Sequence, residues 1–149
     1  IVCEPRFQLT EYITLPDSTS SMSKSLYQTE GKMDGLEYKM ALAMTNMDNI
    51  RWWHRNPERN KFSFCLNGFR NHYPDLSSAR PVERLFWLKP KATSWKMQSP
   101  EKKIRLGRAW QDAAGKQAYR YYMVFQNKDL QMEGAYRFDE FLTLLRALW

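Results

Sequence analysis

Asn71-His72-Tyr73-Pro74-Asp75 runs directly into Leu76-Ser77-Ser78-Ala79-Arg80-Pro81, and the fold turns on this junction. Proline fixes its own φ and biases the residue before it toward extended backbone, so Tyr73-Pro74-Asp75 predicts a turn that delivers a carboxylate to the start of a strand. The residues beyond Asp75 lack the pattern of a strand. Residues 76–101 show no apolar and polar alternation and carry Pro81, Pro90 and Pro100. Proline cannot donate to a β-ladder, so the expectation is an irregular loop from Leu76 to Pro100 where a central pair of strands should lie.

Order is legible on both sides of that stretch. Upstream, Leu36, Met40, Ala43 and Met47 recur at helical spacing, and Asp34 with Glu37 has the form of a capping box, so a helix of about three turns is expected, with Met40, Met44 and Met47 in the core. Ile50 to His54 and Phe62 to Leu66 alternate as strands do, and Asn67-Gly68 supplies a hairpin turn. Trp52 and Trp53 are adjacent on the first of these, so one of them is expected in the core. Downstream, Leu106, Ala109, Trp110 and Ala113 form an apolar helical stripe closed by Gly115, with Lys102, Arg105 and Arg108 along another face. Tyr119 to Phe125 is expected as a buried strand, and Phe138, Phe141, Leu142, Leu145 and Leu148 as a terminal helix. Residues 1–31, with Pro5, Pro16 and the Ser/Thr-rich run from Ser18 to Ser25, are expected as a connecting arm, and 32–149 as one domain.

Composition narrows the class. With 149 residues, 43% hydrophobic and 15% aromatic, the chain is globular in character and long enough for one real core. It has no apolar run of membrane-spanning length and no signal-like start, so a soluble, intracellular protein is expected. Cys3 and Cys65 are isolated, which argues against a disulfide framework and a zinc site. Its start at Ile1 reads as a piece of a longer polypeptide. The net charge of +7 favours a polyanionic partner, although Arg80, Arg84, Lys89, Lys91 and Lys96, all in the suspect stretch, supply a large share of it.

Ser25-Leu26-Tyr27, Trp53-His54-Arg55-Asn56, Asn67-Gly68-Phe69, Asn71 to Asp75, Lys103 to Trp110, Gly134-Ala135-Tyr136 and Asp139-Glu140-Phe141 together resemble the C-terminal nuclease domain of the restriction subunit of type III restriction enzymes. The resemblance covers roughly residues 25 to 148. It implies an α/β (α+β) domain of the restriction-endonuclease-like PD-(D/E)xK fold, a mixed sheet flanked by helices, placed after a superfamily 2 helicase motor. It further implies Mg²⁺-dependent hydrolysis of double-stranded DNA, a modification (methyltransferase) subunit as partner, ATP use only through the motor outside this chain, no membrane, and the bacterial cytoplasm. In such nucleases two carboxylates hold the metal, which polarises the scissile phosphate and acidifies its water, while a lysine orients that water.

Asp75 matches the first ligand, and Glu37 lies where the superfamily often places a carboxylate on the first helix. The family's second motif is Glu-Thr-Lys-Gly. At its place this chain has Lys89-Pro90-Lys91-Ala92, so the Glu is absent and Lys91 alone coincides. Read one nucleotide out of register with permitted codons, residues 76–101 become FIVSTASGTLVLVETKGDQLENAESR, which restores two apolar strands and the missing motif at the aligned place. An internal frameshift is therefore expected, and the chain as written is expected to be inactive.

Blander uses stand beside each of these. Asp75 can be a turn residue, Glu37 a helix cap, Lys91 a solvated lysine, and Lys102, Arg105 and Arg108 a solvated face rather than contacts to a DNA backbone. His54 and His72 are each most simply satisfied structural histidines. A DNA-binding or subunit-docking domain that does not cut, or the product of a disabled gene, are the rival readings.

Overall fold

The computed structural model describes residues 18–57, 63–66, 71–80, 84–91, 100–127 and 130–147, with side chains described for 21–57, 63–66, 71–79, 100–127 and 130–147. Two short strands, β1 (Ser18–Ser20) and β2 (Glu30–Gly31), pair with each other. They are followed by helix α1 (Gly35–Thr45) and strands β3 (Trp52–Arg55), β4 (Leu76–Arg80) and β5 (Arg84–Lys91). Helix α2 (Pro100–Ala114), strands β6 (Tyr119–Phe125) and β7 (Ala135–Arg137), and helix α3 (Phe138–Ala147) complete the chain. The order in the main sheet is β3-β4-β5-β6-β7. The first three strands form an antiparallel meander, and β5, β6 and β7 are parallel.

The irregular loop expected over Leu76 to Pro100 is therefore wrong for residues 76–80 and 84–91, and the central strands are not disrupted. Leu76 to Arg80 pairs with β3 on one side and β5 on the other, so backbone pairing on both flanks forms β4 despite its polar composition. Pro90 is tolerated because it lies beyond Leu88, the last β5 residue paired to β4. At Pro90 only the β6 side is paired, as for a proline on a strand edge. Pro81 and residues 92–99 lie outside the described residues.

Helix α1 starts as its capping box predicts. Asp34 Oδ1 accepts the N–H groups of Leu36 at 3.0 Å and Glu37 at 2.8 Å, and the Glu37 carboxylate takes the Asp34 N–H in return. Its Met40 and Met44 are fully buried, and with Ile50, Trp53, Leu76, Tyr122, Val124, Phe141 and Leu145 they fill the core on one face of the sheet. The other face is filled by Leu66, Ile104, Trp110, Tyr121, Met123 and Phe125. Alternation along β6 sends Tyr122 and Val124 to the first core and Tyr121, Met123 and Phe125 to the second. As expected, Trp53 is core, and Trp52 is only half-buried.

Two elements differ from expectation. The buried side of α2 is Ile104, Gly107, Trp110 and Gln111, whereas Ala109 and Ala113 are exposed. A Cβ at Gly107 would lie 2.2 Å from Tyr121 Cδ1, so the absent side chain lets the helix sit directly on the ring. Gly115, at φ +105°, closes the helix as predicted. No strand forms over Ser63 to Cys65. The backbone N–H and carbonyl of Phe64 are both taken by the Asn56 side chain, and only Leu66 bridges to His72. Phe62 and Asn67-Gly68 lie outside the described residues.

Residues 1–17 of the expected arm are also outside them, but its remainder packs on the sheet. Trp53 N–H donates to Lys24 O at 2.8 Å and Leu26 N–H to Trp53 O at 2.9 Å, covering the free edge of β3. Lys24 Nζ caps Met47 O at 2.6 Å, and Tyr27 and Glu30 are buried.

Candidate functional site

Asp75 immediately precedes β4, and its backbone is held by Asn56. The Asn56 N–H donates to Asp75 O at 2.8 Å, and its Nδ2 donates to Pro74 O at 2.7 Å and Phe64 O at 2.9 Å, while its Oδ1 accepts Phe64 N–H at 2.8 Å. A buried amide with both donors and its acceptor satisfied is a rigid clamp, and it ties the Pro74-Asp75 turn to the segment at 63–66. Beneath the turn, His72 is buried with its Nε2 2.5 Å from the Tyr121 hydroxyl. Burial, and secondarily the charge of Asp75, raises the Tyr121 pKa well above 10, so the phenol stays protonated.

On the α1 side, Glu37 Oε2 lies 3.5 Å from Arg55 Nη2, at the end of β3. The Glu37 pKa is raised, mainly by burial and next by the negative charges of Asp75 and Asp34, while Arg55 and the Asp34 N–H oppose the rise. Glu37 and Asp75 thus act on each other. Arg55 also acts on a second buried carboxylate. Glu30 is fully buried, its Oε1 accepts from Ser25 Oγ at 2.5 Å, and its Oε2 has no partner. Burial raises its pKa, with Ser25 and Arg55 pulling the other way.

The register supplies the next position. Leu76 pairs with Leu88 as the last pair of the antiparallel β4 and β5 ladder, so Asp75 directly precedes that pair on one strand, and Lys89 and then Lys91 follow it on the other. The backbone at Lys91 pairs with Phe125 of β6. Comparison with known proteins finds no matching family model, no matching curated protein and no matching solved structure.

The residues present do not fit a Mg²⁺ site. This hard cation requires several oxygen donors, often with two carboxylates held together. Here the residue that follows the last pair of β4 with β5 is Lys89, not a carboxylate, and Glu37 is already paired with a guanidinium. Among the described residues no group of three His, Cys, Asp or Glu side chains is placed to hold a metal ion.

Lys102 and Arg105 are exposed on α2, while Arg108 is half-buried, ion-paired with Glu133 and bonded to Gln111 Oε1 at 3.2 Å. Helix α2 packs on the sheet face opposite α1, so this basic row and Glu37 lie on different faces. A cleft of about 560 Å³ bordered by Lys39, Leu42, Ala43, Met47, Phe138 and Arg146 contains none of the site residues. His54 is structural in its contacts. It is buried, 3.2 Å by Nε2 from Tyr27 Oη, and burial lowers its pKa to about 4. No described helix is long and apolar enough to cross a membrane.

Sequence reasoning singled out Asp75 and Glu37 as candidates and did not anticipate what surrounds them. Arg55 and Asn56 were visible only as part of the Trp53-to-Asn56 segment, although strand alternation already puts Arg55 on the face of Trp53. Glu30 gave no signal, because it lies in the stretch expected as an arm.

Proposed function

We propose that this chain is a C-terminal nuclease domain of the type III restriction kind, with a PD-(D/E)xK fold, whose cutting site is disabled in the sequence as written. One observation carries the reading. The charge of the Pro-Asp carboxylate Asp75 raises the pKa of the first-helix carboxylate Glu37, and Asp75 precedes the pairing of Leu76 with Leu88 that position 89 follows, the position at which the shifted reading frame encodes the missing glutamate. The antiparallel meander β3-β4-β5, joined through α2 to the parallel strand β6, also supports it, because the resemblance implies a mixed sheet flanked by helices. In the intact form two carboxylates would hold Mg²⁺ against the scissile phosphate of double-stranded DNA, with the lysine two residues beyond the glutamate beside the attacking water. The methyltransferase subunit and the ATP-driven motor would act from outside this chain.

The test compares the written chain with one in which residues 76–101 are replaced by the frame-restored string. Plasmid cleavage in Mg²⁺ is expected only from the restored chain, joined to its motor where the domain alone does not cut. Cleavage by the written chain would overturn the inactivity, and cleavage by neither form, motor included, would overturn the nuclease reading. Exposed Lys102 and Arg105 favour a second reading, a domain that holds DNA without cutting it. Salt-sensitive binding by the written chain, lost on removing those two charges, would establish it.

A further inference from the structure

We propose that the cleft between α1 and α3 is a docking groove for an acidic amphipathic helix of a partner polypeptide. Helix α1 has no continuous polar side. From Leu36 to Met44 every residue except Glu37 and Lys39 is apolar or aromatic. A helix that is apolar all round is normally covered all round. Here Leu36, Met40, Ala41 and Met44 are buried, while Tyr38 and Leu42, one turn apart on the same face, remain 48% and 42% exposed. Among the described residues, Leu26 is the other large hydrophobic side chain left this exposed.

The cleft opens on that uncovered side. Leu42 and Ala43 of α1, Met47 of the following turn and Phe138 of α3 give an apolar floor to a volume of about 560 Å³. Its frame is set before anything binds, because Asn49 Nδ2 donates to Leu145 O at 2.8 Å and ties the turn after α1 to the last turn of α3. A preorganised groove loses little entropy on binding. Lys39 of α1 and Arg146 of α3 line the same cleft, both exposed, and neither has an ion-pair partner among the described residues. Asp48 is the acidic residue that lines it, so positive charge is in excess. An apolar floor with unpaired cations complements an apolar stripe edged with carboxylates, which is the surface of an acidic amphipathic helix. Tyr38 carries the apolar surface a turn beyond the cleft, which suits a helix of several turns better than a small molecule. The cleft holds none of the residues of the cutting site, so docking there is independent of whether the domain cuts.

The experiment adds a fluorescein-labelled helical peptide of about 15 residues to the full chain and follows its anisotropy. The peptide has leucine along one face, at the spacing i, i+4, i+7, and glutamate at the positions beside that face. A second peptide has lysine in place of glutamate, and a third has serine in place of leucine. The first is expected to bind in the micromolar range, and the other two about tenfold more weakly or worse. Lys39→Glu/Arg146→Glu and, separately, Leu42→Ser should each weaken the first peptide by about tenfold, and all three positions are exposed, so the fold is kept. Lys102→Glu/Arg105→Glu makes the same change in charge on the opposite side of the sheet and should leave binding unchanged. Equal weakening by that pair overturns the proposal, because net charge and not the cleft would then attract the peptide. Equal binding of the serine or the lysine peptide overturns it too, as does no binding of the first. Sedimentation equilibrium without peptide tests the rival occupant. The full chain is expected to be monomeric, and a dimer that Leu42→Ser dissociates would mean that a second copy covers the groove, which overturns the proposal.

Discussion

β4 and β6 are both interior strands of one sheet, yet one is filled by apolar side chains and the other is not. In β6, Tyr121, Tyr122, Met123, Val124 and Phe125 are all buried and supply both cores. In β4 the described side chains are Leu76, which is core, the fully buried pair Ser77 and Ser78, and the partly buried Ala79. Ser78 Oγ is spent on Trp52 O at 2.9 Å, and Ser77 Oγ lies 3.4 Å from His54 Nδ1. A strand can thus be held in place by the backbone pairing of its neighbours while contributing little to the core. Stability should concentrate around β6, and β4 should be the place where it can be gained.

The sharpest way to break this contrast is to disturb what lies on β6. Gly107→Ala would drive a methyl group into the Tyr121 ring, which is fully buried and tethered to His72, so it cannot swing aside. The expected loss is about 3 kcal/mol, read by denaturant unfolding. A loss below about 1 kcal/mol would mean that α2 rides on β6 loosely enough to shift away from the ring.

Next in size is the clamp that aligns β4. Asn56→Ala strands the carbonyls of Pro74 and Phe64 and the Phe64 N–H, and about 2–3 kcal/mol is the expected cost. Amide hydrogen exchange should accelerate from Tyr73 to Ser77 well before it does in β6. Equal acceleration in both would show that the Pro74-Asp75 turn is not a separate unit.

The same residues show how far the sequence could be read. Helix α1 was legible because its cap and its methionine spacing are local signals, and β6 because burial on both faces leaves an unbroken apolar run. The buried side of α2 was misread because a glycine that permits close approach does not register as hydrophobic. β4 and β5 were hidden because their partners, not their own residues, make them strands. At the site, Asp75 and Glu37 were marked by neighbours in sequence. The pairing of Arg55 with Glu37, and that of Ser25 with Glu30, are made by packing of the arm and α1 around β3, and no local pattern encodes them.

A smaller net effect comes from His54, which faces Ser77 of β4. Its folded pKa of about 4 lies below the ordinary 6.5, so the folded state resists protonation. Its contribution is fully present above about pH 6.5 and is lost as pH falls through 4, by roughly 3 kcal/mol. The raised pKa values of Glu30 and Glu37 act oppositely, since those groups take up protons more readily when folded and their penalty is relieved on acidification. Comparison with His54→Gln separates the two, because the variant keeps both glutamates. Its stability should fall less steeply between pH 6.5 and 4, and an unchanged slope would mean that His54 has no part in the acid response.

The smallest expected change has the opposite sign. Ser77→Ile with Ser78→Val gives β4 the side chains that the shifted frame encodes at these positions. Residues at 77 and 78 point to opposite faces, so the pair adds apolar volume to both cores at once. Each added methylene is worth about 0.8 kcal/mol when it fills existing space, but Trp52 O loses its hydroxyl donor and His54 Nδ1 its neighbour. A net gain of about 1 kcal/mol is expected if space was left for the larger residues. A loss of similar size would mean that the cores have closed around the serines. The written frame would then be the one to which the rest of the domain is adapted, and the frameshift reading would lose its physical support.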